Sequence, residues 1–287
     1  MKLDVIGKEK IFWPISAVLV VVSLFLIFTQ GLNLGIDFTG GVVVHLRFNE
    51  VQDISALRKS INDFGVTKEI VQSIGKEGKE WVIKIPPITE EKRNGMVKLL
   101  LDNGTKGVLL ESNLIGPTVG QELQKQAILI ILLVVVLLLI YITFRFEFFM
   151  AVSAIVALLH DPLIVLGVAA LLKWEVNIAF LAAVLTLMGY SLNDTIVVFD
   201  RVRDTLKGVY MADISKEINI SINAVLRRTI NTSVTTIIVV FIMMLFGGKV
   251  LHEFSRVLFI GAIVGTYSSL FVATPVFGLL HKVFAKD

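Results

Sequence analysis

Apolar residues are concentrated in six long runs along the chain, and one long polar stretch separates the first run from the second. The runs cover roughly residues 11–28, 127–144, 148–172, 176–199, 229–247 and 254–280. Each run is long enough to cross the hydrocarbon core of a bilayer as an α-helix, which needs about 20 residues. The pattern therefore predicts a polytopic α-helical membrane protein with six transmembrane helices.

The first run can also be interpreted as a secretory signal peptide. Its apolar stretch of about 18 residues is longer than the 7–15 residues typical of such peptides. The residues that follow it, Thr29-Gln30-Gly31, are a poor match to a small-residue cleavage site. We therefore expect an uncleaved membrane helix within residues 1–30.

Alternating and helical periodicities divide the polar stretch, residues 31–126, into short elements. Strand-like patterns occur at 41–48, 69–74, 80–85 and 107–115. One predicted helix runs from Asp53 to a stop at Gly65, and a second begins at Thr89 and closes at Asn103-Gly104. The order βαββαβ predicts a ferredoxin-like α+β domain with its helices on one face of the sheet.

Composition separates the polar stretch from the rest of the chain. Hydrophobic residues make up 55% of the 287 residues and charged residues 18%, whereas a soluble protein carries about 25% charged residues. Of the 51 charged residues, 24 lie between residues 31 and 126. This third of the chain is therefore expected to be water-soluble, and the remainder to lie in a membrane.

Residue usage also excludes several kinds of chemistry. The chain contains no cysteine, which excludes disulfides, thiolate metal sites and cysteine nucleophiles. No two of the four histidines have the spacing of a helical metal pair. We therefore predict no metal, no cofactor and no enzymatic reaction, and the net charge of +3 gives no indication of a nucleic-acid partner.

The distribution of Lys and Arg predicts the orientation in the membrane. With the N-terminus placed inside, the inner segments hold twelve of these residues and the short outer loops hold three. Both termini are then cytoplasmic and residues 31–126 extracytoplasmic, while residues 127–287 form a five-helix domain with a cytoplasmic loop at 200–228. Apolar residues recur at helical spacing within that loop, which favours an amphipathic helix on the membrane or on a neighbouring span over a dedicated docking site.

A carboxylate interrupts the fourth apolar run. Thr186, Tyr190 and Asp194 follow one another at four-residue spacing, and Asn193 precedes the aspartate. A lone charge within a membrane helix costs about 2.5–3.5 kcal/mol on insertion scales, so such residues are usually functional or paired. Asp194 is either a protonatable group on an ion path or a structural carboxylate tied to nearby donors. We favour the functional interpretation.

Two further polar groups interrupt or flank apolar runs. His160 and Asp161 lie near the middle of the third run, where they form either a proton relay or a structural polar contact. Neighbouring side chains on a helix point about 100° apart, so the two need not touch. Arg227 and Arg228 precede a polar stripe that includes Thr232. One of these arginines is a candidate partner for a buried carboxylate, and the alternative is a topology anchor.

The sixth apolar run contains small residues at strict four-residue spacing. They are Gly261, Gly265, Ser269 and Ala273. Such a seam permits close packing between helices, either within the chain or against a partner.

Several segments resemble the SecD and SecF protein-export family. Residues 34–41, LGIDFTGG, resemble its GIDFxGG signature, and residues 115–120 are also similar to the family. Residues 159–161, 189–201 and 228–233 resemble the SecF branch of the family. The matching segments occur in family order along the whole chain, with the predicted topology. The membrane part of this family belongs to the resistance–nodulation–division superfamily.

The resemblance implies a function that composition does not. Family members form a complex with SecD, associate with the SecYEG channel (and with YajC where present) and act on a translocating preprotein in the cytoplasmic (inner) membrane. They use the proton-motive force to complete translocation after ATP-driven pushing. Two alternatives stay open, namely a structural scaffold that stabilises SecD and half of a proton-driven small-molecule exporter. The coupling ion can be H⁺ or Na⁺.

The resemblance also implies residue roles. In the family, an aspartate of the fourth span and an arginine of the fifth are linked to proton transport, and by motif these are Asp194 and Arg228. The family motif extends to His160 and Asp161 as further proton-coupling candidates. Tyr190, Asn193 and Thr232 are expected to form a supporting polar face. We also expect the outer domain to move on a hinge near Gly35, Gly40 and Gly41.

Overall fold

A computed structural model of the chain describes residues 3–67, 69–74, 77–102, 107–207 and 214–284. The chain divides into two compact units. One unit comprises Leu34–Leu129, and the other comprises Met1–Asn33 together with Ile130–Asp287. The first unit contains most of the strands, and the second is almost entirely helical.

The helices and strands follow in chain order. They are α1 (Glu9–Gln30), β1 (Asn33–Leu34), α2 (Ile36–Thr39), β2 (Gly41–Phe48), α3 (Ile54–Asp63), β3 (Ile70–Ile74), β4 (Glu80–Ile85), α4 (Glu90–Asp102), β5 (Gly107–Ile115), α5 (Pro117–Arg145), α6 (Phe148–Leu171), β6 (Glu175–Val176), α7 (Ile178–Leu206), α8 (Ile214–Phe246), α9 (Lys249–Ser268), a π-helical segment (Ser269–Ala273) and α10 (Thr274–Phe284).

Within the described residues, six helical stretches are long and apolar enough to cross a membrane. They are Lys10–Gln30, Pro117–Arg145, Phe148–Leu171, Ile178–Leu206, Ile214–Phe246 and Val250–Phe284. This confirms the prediction of six membrane helices from the apolar runs.

The region predicted as a loop, residues 200–228, is largely helical. Helix α7 ends at Leu206 and α8 already begins at Ile214. The predicted amphipathic segment is therefore the first part of α8 where the structure describes it, and not a separate helix. Residues 214–246 contain neither Gly nor Pro, and extending an existing helix is easier than nucleating a new one.

The unit Leu34–Leu129 is built on a four-stranded antiparallel sheet. The strand order is β3-β4-β2-β5. Alternate residues of β2 point to opposite faces of the sheet, and the buried face carries Val42, Val44, Leu46 and Phe48. Residues of β4, α3 and α4 complete the hydrophobic core, among them Trp81, Ile83, Ile61 and Met96. The predicted end of the second helix, Asn103-Gly104, lies outside the described residues.

Helix α9 packs against α6, α7 and α8 in the other unit. Its small residues allow this close approach. A Cβ atom on Gly261 would lie 2.6 Å from Leu187 Cδ1, and one on Gly265 would lie 3.0 Å from Ser191 Cβ. By contrast, few residues of α1 and α5 are buried.

The N-terminal segment is tied to α8 by two asparagines one turn apart. The backbone N–H of Leu3 donates to Asn223 Oδ1 and Asn223 Nδ2 donates to the carbonyl of Leu3, both at 2.7 Å. The N–H groups of Val5 and Ile6 donate to Asn219 Oδ1 at 2.8 and 3.1 Å. Both of these apolar side chains are buried, so the segment is anchored by burial as well as by hydrogen bonds.

Replacing Asn219 and Asn223 together by Ala is expected to release this segment. The change removes four hydrogen bonds to backbone, each worth about 1 kcal/mol net. The chain has no native cysteine, so thiol modification of a Leu3→Cys variant reports the release directly. We expect modification at least about tenfold faster, whereas Ile220→Ala, at an exposed position between the two asparagines, should leave the rate unchanged. If the Leu3→Cys thiol is modified at the same rate with and without the two asparagine replacements, the asparagines do not hold the segment.

Candidate functional site

Asp194 lies where α7, α8 and α9 meet. Its side chain is buried, with 2% of the residue surface exposed. Ser233 of α8 places its Oγ 3.4 Å from Asp194 Oδ2, and Thr266 of α9 donates to Ser233 Oγ at 2.7 Å. A chain of two hydroxyls thus connects the carboxylate with a third helix.

Each of these hydroxyls has a choice of acceptor. Ser233 Oγ also lies 2.7 Å from the carbonyl of Thr229, and Thr266 Oγ1 lies 2.7 Å from that of Ala262. A hydroxyl has one proton to donate, so Ser233 donates either to Asp194 or to its own helix. The network can therefore accommodate the carboxyl group in either protonation state.

Arg228 and Thr232 lie one turn apart on α8, and both are exposed. The Thr232 hydroxyl donates to the carbonyl of Arg228 at 3.1 Å or to that of Thr229 at 2.9 Å. Among the described residues, no ion pair within 4.0 Å joins Arg228 to Asp194. The two side chains are still near enough for Asp194 to interact electrostatically with Arg228 and with Thr232.

The polar face predicted for α7 is divided in the structure. Asp194 points into the bundle, whereas Thr186 and Asn193 are exposed. Tyr190 is half-buried, and within the described part of the chain its hydroxyl is buried without a hydrogen-bond partner. Residues eight positions apart on an α-helix point in directions that differ by about 80° around the helix axis. This rotation explains why Thr186 is exposed while Asp194 is buried.

A second buried carboxylate lies in α6. Asp161 is completely buried, and its Oδ2 accepts hydrogen bonds from Ser191 at 2.5 Å and Ser268 at 2.8 Å. His160 Nδ1 lies 3.0 Å from Asp161 Oδ1, so these sequence neighbours do touch. The other ring nitrogen of His160, Nε2, is buried without a partner among the described residues.

Two hydroxyls of α9, those of Thr266 and Ser268, were not singled out from the sequence. Thr266 belongs to the network of Asp194 and Ser268 to that of Asp161. Ser269, which belongs to the small-residue seam predicted from the sequence, follows in the π-helical segment, and its hydroxyl lies 2.9 Å from Thr195 Oγ1. The available signal was the run of four hydroxyl-bearing residues at 266–269 inside an otherwise apolar stretch. No group of three His, Asp or Glu side chains suited to a metal ion occurs in the part of the chain that the structure describes.

The glycines proposed as a hinge have different surroundings. Gly40 has φ +73°, and a Cβ atom on it would lie 2.9 Å from Pro117 Cα. A Cβ atom on Gly41 would lie 2.7 Å from the carbonyl oxygen of Ile85. Gly35 precedes α2 with φ −69°, a conformation that any residue adopts. Close backbone packing thus explains Gly40 and Gly41, while the hinge at all three stays a prediction.

These features define a class of protein before any comparison is made. In the part of the chain that the structure describes, six helices can span a membrane, one unit is a mixed α+β domain, and the helical bundle contains two buried carboxylates. Ionisable groups within membrane helices are characteristic of proteins that move or sense ions. The chain is thus a multi-pass membrane protein with carboxylates buried in its helical bundle.

The family is shown by sequence comparison. "Protein export membrane protein SecD/SecF, C-terminal" matches residues 97–283, and "SecD/SecF GG Motif" matches residues 25–50. The chain belongs to the SecD/SecF family of protein-export membrane proteins, which confirms the resemblance carried by its motifs.

Relatives from two bacteria have the name "Protein translocase subunit SecF". The one from Calditerrivibrio nitroreducens is 43% identical over 289 residues, covering 98% of this chain and 94% of the relative. The one from Haemophilus influenzae is 40% identical over 270 residues, covering 93% of this chain and 83% of the relative. These relatives are thus named as transport proteins and not as catalysts.

Two solved SecDF structures have a similar fold. One is the crystal structure of SecDF, a translocon-associated membrane protein, from Thermus thermophilus, with a TM-score of 0.88 and 32% identity over 98% of this chain. The other is SecDF in a super-membrane-facing form, with a TM-score of 0.74 and 32% identity over all of this chain. The chain spans only 39% and 40% of the lengths of those proteins.

Proposed function

We propose that this chain is the SecF subunit of the Sec protein-export machinery. With SecD it uses the proton-motive force to complete preprotein translocation through SecYEG, together with YajC where present, after ATP-driven pushing. The observation that carries the proposal is Asp194, a carboxylate buried within a membrane helix whose hydrogen-bond contact, at 3.4 Å, is a neutral hydroxyl. A group of this kind can bind a proton within the bundle, because burial favours its neutral form.

The proton-motive force is large enough for this work. One charge that crosses 100 mV gains about 2.3 kcal/mol. That free energy shifts a two-state population by about 50-fold. One proton per cycle through Asp194 therefore suffices to drive a conformational change of the bundle.

Arg228 provides the coupling element in this proposal. A guanidinium near a carboxylate stabilises the ionised form, whereas burial stabilises the neutral form. Arg228 is exposed and free of an ion pair with Asp194 within 4.0 Å among the described residues. Its approach would favour release of the proton and its retreat would favour uptake. Asp161 and His160, in contact at 3.0 Å, form a second proton-coupling candidate.

An exposed polar face supports a membrane partner. Asn193 of α7 and Arg228 and Thr232 of α8 are exposed although they lie in membrane-spanning helices. Polar groups that face lipid are costly, so such a face is expected to be covered by protein or water. The similar solved structures are named SecDF, and we therefore assign this face to the contact with SecD.

The proposed location is the cytoplasmic (inner) membrane. Both termini would be cytoplasmic and residues 31–126 extracytoplasmic, where the mixed α+β unit would meet the emerging preprotein. Support comes from the twelve-to-three distribution of Lys and Arg between the inner and outer segments.

The test is preprotein export under an imposed proton gradient in vesicles that contain the complete export machinery. Asp194→Asn keeps the side-chain volume and removes the charge, so stimulation by the gradient should be lost while ATP-driven export and complex assembly persist. Asp204→Asn is the matched control on the same helix, because Asp204 is exposed and paired with Lys207 at 2.9 Å. It should retain the stimulation.

The same assay separates the alternatives. Unchanged stimulation in Asp194→Asn would make this carboxylate structural and favour the scaffold function. Repeating the assay with a sodium gradient identifies the coupling ion, because a carboxylate among hydroxyls can bind either H⁺ or Na⁺. Small-molecule efflux that depends on Asp194, without any effect on export, would favour the exporter.

A further inference from the structure

We propose that α9 is the element of the bundle that moves when Asp194 changes its protonation state. Thr266 is the positioning residue that senses Asp194, and Ser268 is the positioning residue that fixes the pivot of the helix at Asp161. The inference rests on the proposed function, since it takes Asp194 as the group that binds the proton, and it assigns roles to two hydroxyls on α9.

The two hydroxyls lie two residues apart and therefore on different sides of the helix. On one side, Thr266 donates to Ser233 of α8, which contacts Asp194. On the other side, Ser268 donates to Asp161 of α6 at 2.8 Å. Helix α9 packs against α6, α7 and α8. It therefore connects the hydrogen-bond network of Asp194 with that of Asp161.

The contacts on the Asp194 side change when the proton arrives. An ionised Asp194 is an acceptor only, so Ser233 donates to it and accepts from Thr266. A protonated Asp194 becomes a donor toward Ser233, which then turns its own proton to the carbonyl of Thr229 at 2.7 Å. Turning the Ser233 hydroxyl toward Thr229 also redirects its two lone pairs, so Thr266 loses its aligned acceptor and turns to the carbonyl of Ala262 at 2.7 Å. The hydroxyl link between α8 and α9 is thereby weakened.

The contacts on the Asp161 side hold. Asp161 accepts from Ser191 as well as from Ser268, so α6, α7 and α9 converge on one carboxylate. Gly265 brings α9 close to this point, because a Cβ atom there would lie 3.0 Å from Ser191 Cβ and 3.5 Å from Asp161 Oδ2. The helix is fixed here while its link to α8 changes.

The backbone of α9 changes geometry immediately after the pivot. The segment Ser269–Ala273 is π-helical. Single π-helical turns are rare within α-helices and frequently occur at functional sites. The segment separates α9 from α10, so α9 can tilt about Asp161 without carrying α10 with it.

Few other charges face this network. Arg228 on α8 is the charged group near Asp194, and Asp161 and His160 lie on α6 beyond α9. On α7 itself, Tyr190 lies one turn before Asp194. Residues 257–280 contain no Asp, Glu, Lys, Arg or His, so the part of α9 that carries Thr266 and Ser268 responds to the proton through hydroxyls and not through charges of its own.

The experiment measures the position of α9 relative to α8 by distances between two spin labels. Cysteines replace Ile263 on α9 and Ile238 on α8, which are both exposed, in a chain that has no native cysteine. The labelled protein is reconstituted with SecD in vesicles and measured at low and high pH. We expect the distance to change by about 1–2 Å, the size of typical helix shifts. Asp194→Asn should abolish this change.

Variants of the two hydroxyls test the coupling. Thr266→Val and Ser268→Ala should remove the pH-dependent distance change and reduce gradient-stimulated export about fivefold, the population change expected from one lost hydrogen bond. Thr266→Ser keeps the hydroxyl and should keep both responses. Ser255→Ala is the matched control, because Ser255 lies on α9, is buried and has no hydrogen-bond partner for its hydroxyl among the described residues.

Failure of this inference is distinguishable from failure of the proposed function. If Thr266→Val and Ser268→Ala keep the full distance change while Asp194→Asn loses gradient-stimulated export, the role of α9 is overturned and the proposed function stands. A wild-type complex that responds to the gradient without any movement of α9 also overturns it. If Asp194→Asn exports normally under the gradient, the proposed function itself fails.

Discussion

Asp161→Ala is expected to destabilise the protein by about 3–5 kcal/mol, the range found when one partner of a buried charged cluster is removed. The carboxylate is completely buried and accepts hydrogen bonds from Ser191 and Ser268. Its other oxygen lies 3.0 Å from His160 Nδ1. Truncation leaves Ser191 without this acceptor and His160 Nδ1 without its partner, whereas Ser268 keeps the carbonyl of Gly265 at 3.1 Å. It also opens a cavity where α6, α7 and α9 converge.

Thermal unfolding of the purified protein in detergent measures this cost. A loss of this size should lower the apparent Tm by about 10 °C. Asp161→Asn should cost less, because the amide oxygen still accepts one of the serine hydroxyls. Ser153→Ala is the control on the same helix, since Ser153 is equally buried and its hydroxyl donates to the carbonyl of its own helix at Phe149. If Asp161→Ala has the same apparent Tm as Ser153→Ala, Asp161 does not hold the helices together.

The membrane helices could be predicted because the bilayer fixes their composition and length. Each span needs about 20 apolar residues, and six stretches of the described chain meet that requirement. The ends of α7 and α8 could not be predicted in the same way. Helix α7 continues past its apolar run to Leu206, and α8 begins at Ile214, well before its apolar run. These helix ends lie in polar sequence, so no switch from apolar to polar residues marks them.

The carboxylates of the site could be predicted because a charge in a membrane helix is costly. Asp194 and Asp161 are both buried in the bundle. The hydroxyls around them could not, because Ser and Thr can satisfy their hydrogen-bonding groups on the carbonyl four residues earlier. Thr266 and Thr186 both lie within reach of such a carbonyl, yet only the packing of the helices shows that Thr266 serves the site while Thr186 is exposed.

The contact between His160 and Asp161 illustrates another limit. Helix geometry alone separates adjacent side chains by about 100°, so sequence proximity did not decide whether they meet. The packing of α7 and α9 did, because Ser191 and Ser268 occupy Oδ2 of the carboxylate. Oδ1 is then available to the histidine.

Gly40→Ala is expected to destabilise the unit Leu34–Leu129 by about 3 kcal/mol or more, within the range of strained backbone substitutions. Gly40 has φ +73° and ψ 160°, a conformation that is essentially restricted to glycine and costs another residue about 1–3 kcal/mol. The added Cβ atom would lie 2.9 Å from Pro117 Cα and 3.0 Å from its nitrogen. Both are backbone atoms that cannot rotate away. Gly120 also packs closely against this part of the backbone, since a Cβ atom on it would lie 2.8 Å from Gly40 N.

Fluorescence of Trp81, which is buried in the core of that unit, follows its unfolding in urea once Trp13 and Trp174 are replaced by Phe. The midpoint should fall sharply in Gly40→Ala and stay at or slightly above its original value in Gly116→Ala. Gly116 has nothing within 4 Å of its Cβ position, and Ala restricts the unfolded chain more than Gly does. Equal midpoints in the two variants would remove the packing explanation for Gly40.

Gly35→Ala separates packing from hinge motion. Gly35 has φ −69°, so Ala fits its backbone conformation and the urea midpoint should stay unchanged. If residues near Gly35 act as a hinge, the restricted backbone should lower gradient-stimulated export at this unchanged stability. If only Gly40→Ala loses export, and its urea midpoint is also lower, the glycines serve close packing and not a hinge. The loss of function would then follow from the loss of stability.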